Sequence, residues 1–374
     1  MDKCPPEVHW RIISYACTDD GYTGCSLSLV SRYIHQVSSP YRWQCVSLPG
    51  YDSVISFSRK LEKVHTRRPI RHLFLSDREF EIPSRLTETL SFFSASVYDH
   101  GARSVSLCLS ASFPLLQELT IRARCTTVHL AGDSPGDTIP CNMPNLTHLH
   151  LALPFLGFSR GVLQATHNLV WSISTDITHL RLTMLDKWGS RRVVEVIHSE
   201  LSQSGIVPDA FDLPPSEWDS PRVATASPIT WDRLLPDNFQ LFAIQPSPTS
   251  TFYCTCCMDL RGDVDVMRIL DGMSSLADKE RFVCMARRPI QMRKCRTDPM
   301  EVAGYGLVEA QSDWMERVQG DGGCWREKDD DDVDSMGRTG KSRSPATPIL
   351  IPNRKPRRHF KKQLKNAFKK LKVW

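Results

Sequence analysis

Four times between residues 69 and 185 the chain repeats one spacing of apolar residues, apolar-x-x-apolar-x-apolar. The copies are Ile70/Leu73/Leu75, Leu116/Leu119/Ile121, Leu146/Leu149/Leu151 and Ile177/Leu180/Leu182. The last three begin 30 and 31 residues apart, the first lies 46 residues before the second, and Pro114 and Pro144 precede two of them. The alternating end of each copy suits a short strand with one buried face. The interval leaves room for a returning helix or loop before the next strand. An irregular α/β stack of such units is the expected body, over about 49–325. A set of unrelated surface strands would satisfy the same clusters.

Alternation also sorts the residues between the apolar ones. Successive side chains on a strand point to opposite faces. His72 and Phe74, Glu118 and Thr120, His148 and His150, and His179 and Arg181 are therefore expected to share one exposed sheet face. Stacked repeats use such a face to bind proteins, which makes these eight residues candidates for holding a target. Plain solvated positions fit the pattern equally well. His148 and His150 could chelate a metal, but no third ligand stands nearby, so no metal or other cofactor is expected.

Ahead of the repeats, Cys4 to Leu48 reads as helical. Pro5-Pro6-Glu7 suits a helix start, because proline is tolerated in the first turn and an acid is favoured near the positive end of the helix dipole. Val8, Ile12, Ile13 and Ala16 follow at helical spacing until Thr18-Asp19-Asp20-Gly21 interrupts them. Leu27, Val30, Tyr33, Ile34 and Val37 form a second set, and Trp43 leads into the strand-like Val46-Ser47-Leu48.

These residues carry a resemblance. Cys4-Pro5-Pro6-Glu7-Val8, Leu27-Ser28-Leu29-Val30-Ser31-Arg32-Tyr33 and Tyr41-Arg42-Trp43 resemble the opening, middle and closing segments of the F-box. The words from Ala16 to Leu27, and Asp313-Trp314-Met315 with Gly322-Gly323-Cys324-Trp325, resemble F-box proteins of mushroom-forming fungi. The repeats resemble leucine-rich repeats at a longer period than the usual ~20–29 residues. The resemblance implies a three-helix F-box over 1–48 that docks on a Skp-type adaptor and, through it, a cullin. The repeat-like body would then capture a substrate protein for ubiquitination, with no catalytic residue in this chain. Cys4, Pro5, Val8, Ile12, Leu29, Val30 and Trp43 are the candidate adaptor contacts. Cys4 stands where the family has leucine and would bury less apolar area.

The remainder divides by composition. Residues 202–250 are rich in Pro, Ser and Asp and read as a long loop with short ordered pieces. Tyr253–Met258 and Arg281–Ala286 look like strands, and Val308–Val318 looks like a closing helix. Beyond residue 325 an acidic run, Asp329 to Asp334, and a Gly/Ser/Arg/Pro stretch are expected to be disordered. The chain ends on a basic segment. Ten Lys or Arg and no acid occupy residues 354–374, so the formal net charge of +5 becomes −5 for everything before it. Phe360, Leu364, Phe368 and Leu371 place an apolar stripe on a helix over about 357–374. Arg354, Lys355, Arg357, Arg358, Lys361 and Lys362 are candidates for an import receptor or an anionic surface. A chromatin- or membrane-surface protein acting through this tail is the alternative function.

Other motifs fail on their chemistry. Gly132-Asp133-Ser134-Pro135-Gly136 matches a nucleophile elbow, but Pro135 lacks the N–H that would serve as oxyanion donor. Cys254, Cys257, Cys284 and Cys295 could bind zinc, yet the second pair is ten residues apart between its members, too wide for the usual knuckle. Thirteen scattered cysteines fit reduced, buried thiols. No apolar run approaches the ~18 residues of a membrane span. The opening residues lack the order of a signal peptide, so the expected location is cytoplasm or nucleus.

Overall fold

The computed structural model describes residues 4–63, 69–76, 105, 108–109, 111–123, 143–153, 169–170, 173, 175–184, 190–208, 235, 238–246, 260–286, 307–319 and 325. All belong to one compact unit, Met1–Glu327. The expected strand at 253–258, the Ser134 turn, Cys254, Cys257 and Cys295, most of the Pro/Ser-rich stretch, and the tail with its six candidate basic residues lie outside the described residues.

The body is mixed α/β, built on a parallel sheet. Among the described residues it has seven strands, β1 (Cys45–Pro49), β2 (His72–Ser76), β3 (Glu118–Arg122), β4 (His148–Leu153), β5 (His179–Met184), β6 (Leu241–Gln245) and β7 (Phe282–Cys284). They lie side by side in sequence order. The register aligns the apolar clusters. Leu73 pairs with Leu119, Leu119 with Leu149, and Leu149 with Leu180. Parallel strands require a crossover between each pair, and every crossover here returns the chain to the adjacent position.

Two further copies of the spacing appear once the register is known. Val46 and Leu48 pair with Leu73 and Leu75, which makes Trp43/Val46/Leu48 the first unit. Phe242 and Ile244 pair with Leu180 and Leu182, which makes Phe239/Phe242/Ile244 another. Phe239 begins 62 residues after Ile177, two of the 31-residue intervals. The strand entries repeat as well. The Arg71 carbonyl accepts N–H bonds from both Gln117 and Glu118, the Gln117 carbonyl from Thr147 and His148, and the Thr147 carbonyl from Thr178 and His179. Pro114 and Pro144 sit second in turns closed by Leu116 N–H to Phe113 and Leu146 N–H to Met143, the position where a fixed φ suits the turn.

One face of the sheet carries the main core. Leu73, Leu75, Leu119, Ile121, Leu149, Leu151, Leu180 and Leu182 pack with α4 (Tyr51–Lys63), α5 (Ser190–Gln203) and α6 (Leu260–Leu276). Val54 and Phe57 come from α4, Val194, Ile197 and Leu201 from α5, and Val266, Ile269, Leu270 and Met273 from α6. The opposite face is covered by α7 (Leu307–Val318), whose Ala310, Trp314 and Val318 pack on Cys45, Phe74 and Ala152.

Three short helices precede the sheet: α1 (Pro6–Ala16), α2 (Tyr22–Leu27) and α3 (Arg32–Ser38). Local chemistry sets their ends. Pro6 opens α1. The Asp19 carboxylate accepts the N–H groups of Gly21 at 3.0 Å and Thr23 at 2.7 Å, tying the break after α1 to the start of α2. Ser31 caps α3 by accepting the Ile34 N–H at 3.2 Å. Ile13, Cys17 and Val37 form the small buried centre, which holds the Cys17 thiol up at about 11, chiefly by desolvation. Gly24 lies so close to the segment entering β1 that an added Cβ would stand 2.6 Å from the Arg42 Cα. Gly24→Ala is therefore expected to lower stability by about 2 kcal/mol, read as a shifted denaturant midpoint at unchanged slope. An unshifted midpoint would show that the backbones can part freely there.

Candidate functional site

On α1 both sides are apolar. His9, Ile13 and Cys17 recur every four residues on the buried side. Val8, Ile12 and Tyr15, at i, i+4 and i+7, form a second stripe that remains exposed, Ile12 at 58% and Tyr15 at 67%. A helix with apolar residues on two sides normally has both sides covered. Here one side faces water. Leu29 and Val30, in the turn between α2 and α3, are also exposed, at 86% and 68%. Most of the exposed large apolar residues among those described fall between Val8 and Tyr33.

Cys4 and Pro5 are exposed, as are Val8, Ile12, Leu29 and Val30. Trp43 is different. Its ring is half-buried against Phe57 of α4 at 6.4 Å, with the Arg42 guanidinium 5.4 Å from its centre. It belongs to the joint between the helices and the sheet. The helical spacing could not foresee this, because Phe57 comes from an element the periodicity of Cys4–Leu48 does not contain. Behind the exposed stripe, His9 Nδ1 meets the Tyr33 hydroxyl at 2.6 Å and fixes α1 against α3.

The eight residues assigned to the second sheet face do share that face, but the expectation that it is exposed is corrected. Phe74, Glu118, Thr120, His150 and Arg181 are buried, and His72, His148 and His179 are half-buried. The physical reason is α7. Its Leu307, Ala310, Trp314 and Val318 recur on one side of the helix and need apolar cover, while Asp313 and Arg317 answer charges on the sheet. Asp313 Oδ2 accepts from Arg181 Nη2 at 3.1 Å, and Gln245 Oε1 accepts from the same nitrogen at 2.6 Å. Thr183 Oγ1 lies 2.9 Å from His150 Nε2 and 3.3 Å from Arg181 Nε.

Toward the strand entries the face is crossed by a row of ionisable groups, His72, Glu118, His148 and His179, aligned by the register. His72 Nδ1 lies 3.2 Å from Glu118 Oε2. Arg317 Nη2 donates to His148 Nε2 at 2.9 Å, and since a guanidinium can only donate, His148 must be neutral there. Its proton is then on Nδ1, which donates to Thr147 Oγ1 at 2.9 Å, and that hydroxyl donates onward to the Gln117 carbonyl. The next strand repeats the device: Thr178 Oγ1 lies 2.8 Å from His179 Nδ1 and donates to the Thr147 carbonyl. The two imidazoles stack at 4.2 Å, and Trp325 presents edge-on geometry to both, at 5.6 and 5.7 Å. Desolvation, then His179, Arg317 and His72, push His148 from its ordinary 6.5 down to about 3. Burial and Arg317 lower His179 as well. A pair of Thr-His dipeptides one repeat apart was the signal in the sequence that could have identified this row.

Among the described residues no group of three His, Cys, Asp or Glu side chains is placed to hold a metal ion. No described helix is long and apolar enough to cross a membrane. Comparison with known proteins returns no matching family model, no matching curated sequence and no matching solved structure.

Proposed function

We propose that the chain is an F-box-type receptor of a Skp-cullin ubiquitin ligase, non-catalytic itself, which carries a target protein on its leucine-rich-repeat-like body. The observation that carries this reading is the second apolar stripe of α1. Val8, Ile12 and Tyr15 are held outward by a helix whose other side is already satisfied, and Leu29 and Val30 project from the adjoining turn. Exposed apolar surface concentrated on a small helical module suits a partner that covers it. The resemblance of these segments to the F-box points to a Skp-type adaptor as that partner. The sequential parallel sheet supports a repeat-like body, and the basic segment at 354–358 supports nuclear import.

Co-expression with a Skp-type adaptor tests the proposal. A stable complex is expected, weakened at least a hundredfold by Val8→Asp with Ile12→Asp, since two carboxylates would be desolvated on docking. Both positions face water, so the variant should keep the wild-type denaturation midpoint. No complex, or a complex indifferent to the double variant, would overturn the assignment.

A further inference from the structure

We propose that α7 is an acid-released cover: protonation of the stacked His148–His179 pair expels Arg317 and lifts the helix from the polar face of the sheet. The inference does not depend on what the N-terminal helices bind. It concerns access to the face on which the proposed function would place the target.

Three features of the geometry support it. The first is the contact itself. Arg317 reaches His148 through a nitrogen that must carry a lone pair to receive it. A proton on Nε2 removes the acceptor and sets two cations against each other at 2.9 Å. His179, stacked at 4.2 Å, adds a third when it is protonated. Among the described residues, the ionisable groups facing His148 are His72 and Glu118 from β2 and β3, His179 from β5, and Arg317 from α7. Glu118 is the one carboxylate among them; its Oε2 lies 3.2 Å from His72 but 4.0 Å from Arg317 Nε, so it leans toward the other end of the row.

The second feature is what the cover hides. Glu118, Thr120, Arg122, His150, Arg181, Thr183 and Gln245 are all buried under this side of the sheet. Such side chains are readily hydrated, unlike the leucines of the main core. Opening this face exposes Phe74, Ala152 and Cys45 with Ala310, Trp314 and Val318 of the helix and parts Asp313 from Arg181, so the open form is a minor one that protonation enlarges.

The third is the direction of linkage. Covered, His148 takes a proton only near pH 3; in water it would do so near 6.5. The uncovered form therefore binds more protons throughout that interval. Covering is fully stable above about pH 6.5 and loses stability as pH falls toward 3. Between pH 7.5 and 5 the uncovered fraction should rise by up to about 30-fold from His148 alone, the ratio for a fully hydrated imidazole; His179 and His72 stay beside it on the sheet and reduce the rise.

Two buried thiols provide the test. Cys45 lies beneath α7, and Cys108 lies in the main core on the other side of the sheet. In the full-length chain, labelling by a pyridyl disulfide active in acid would be followed by peptide mass spectrometry. Exposed Cys4 serves as the reference for reagent reactivity at each pH. Cys45 labelling relative to Cys4 should rise several-fold, to at most about 30-fold, between pH 7.5 and 5, while Cys108 stays protected. Hydrogen exchange over 307–318 should rise in parallel, and His148→Gln, which keeps an acceptor for Arg317, should remove most of both changes. A flat Cys45 ratio, a parallel rise at Cys108, or a rise that survives His148→Gln would overturn the proposal. Should that variant not fold, Cys45 against Cys108 in the wild-type chain decides the matter.

Discussion

Truncation of Trp314 to alanine is expected to lower stability by about 3–5 kcal/mol, the range for losing a large aromatic from a packed site. Trp314 is fully buried, and its ring lies 5.7 Å from Phe74. Among the described residues no other aromatic joins that small cluster, where Cys45, Ala152, Ala310 and Val318 surround the pair. The indole N–H has no hydrogen-bond partner among the described residues. Trp314→Phe should therefore keep much of the contact and lose far less. Chemical denaturation of the two variants provides the comparison. If alanine and phenylalanine cost the same, the ring is held by something other than packing.

Replacing Asp313 with alanine should cost a similar amount, about 3–5 kcal/mol, the range for removing one member of a buried ion pair. Arg181 is fully buried, and Asp313 supplies the carboxylate that offsets its charge. Removing the acid takes away the Asp313 carboxylate that faces this guanidinium in low dielectric, where Gln245 and Thr183 are neutral. Loss of one member of a buried pair is far worse than replacing both with apolar residues of similar size. Arg181→Met with Asp313→Leu should thus recover most of the loss. Recovery should stop short of wild type, because Gln245 and Thr183 lose the Arg181 donor and keep only each other and His150 among the contacts described. Denaturation of the two single variants and the double measures the coupling, and a double variant no more stable than Asp313→Ala would contradict it.

The strands were legible where leucine and isoleucine marked them. Leu119, Leu149 and Leu180 fall in register because each cluster states its own inward side. Trp43/Val46/Leu48 and Phe239/Phe242/Ile244 obey the same spacing, but aromatic residues stand at their first positions and the second copy follows a long Pro/Ser-rich stretch. The spacing was therefore visible only beside the others. Helices α4, α5 and α6 were less legible, since the apolar stripe of a returning helix states no partner.

The candidate surfaces divide in the same way. Alternation placed His72 through Arg181 on one face correctly, because the pleat is a local property. Whether that face meets water is not local. It is decided by α7, whose Asp313 lies 132 residues beyond Arg181. Val8, Ile12, Ile13 and Ala16 were legible as helical, but the outward stripe of Val8, Ile12 and Tyr15 depends on which side of α1 packs against α3. Two apolar sides on one helix cannot be ranked from spacing alone.

The sequential order of the strands has a consequence for biosynthesis. Each strand adds beside the one made before it, so the sheet can grow as the chain leaves the ribosome, without waiting for distant partners. The helix that covers the second face is made late. At about 5–20 residues per second, Arg181 waits roughly 7–26 s for Asp313, given the 132 residues between them. A leucine-rich face left uncovered for that time would invite aggregation. Thr120, His150, Arg181, Thr183 and Gln245 keep the growing sheet compatible with water until its last helix arrives.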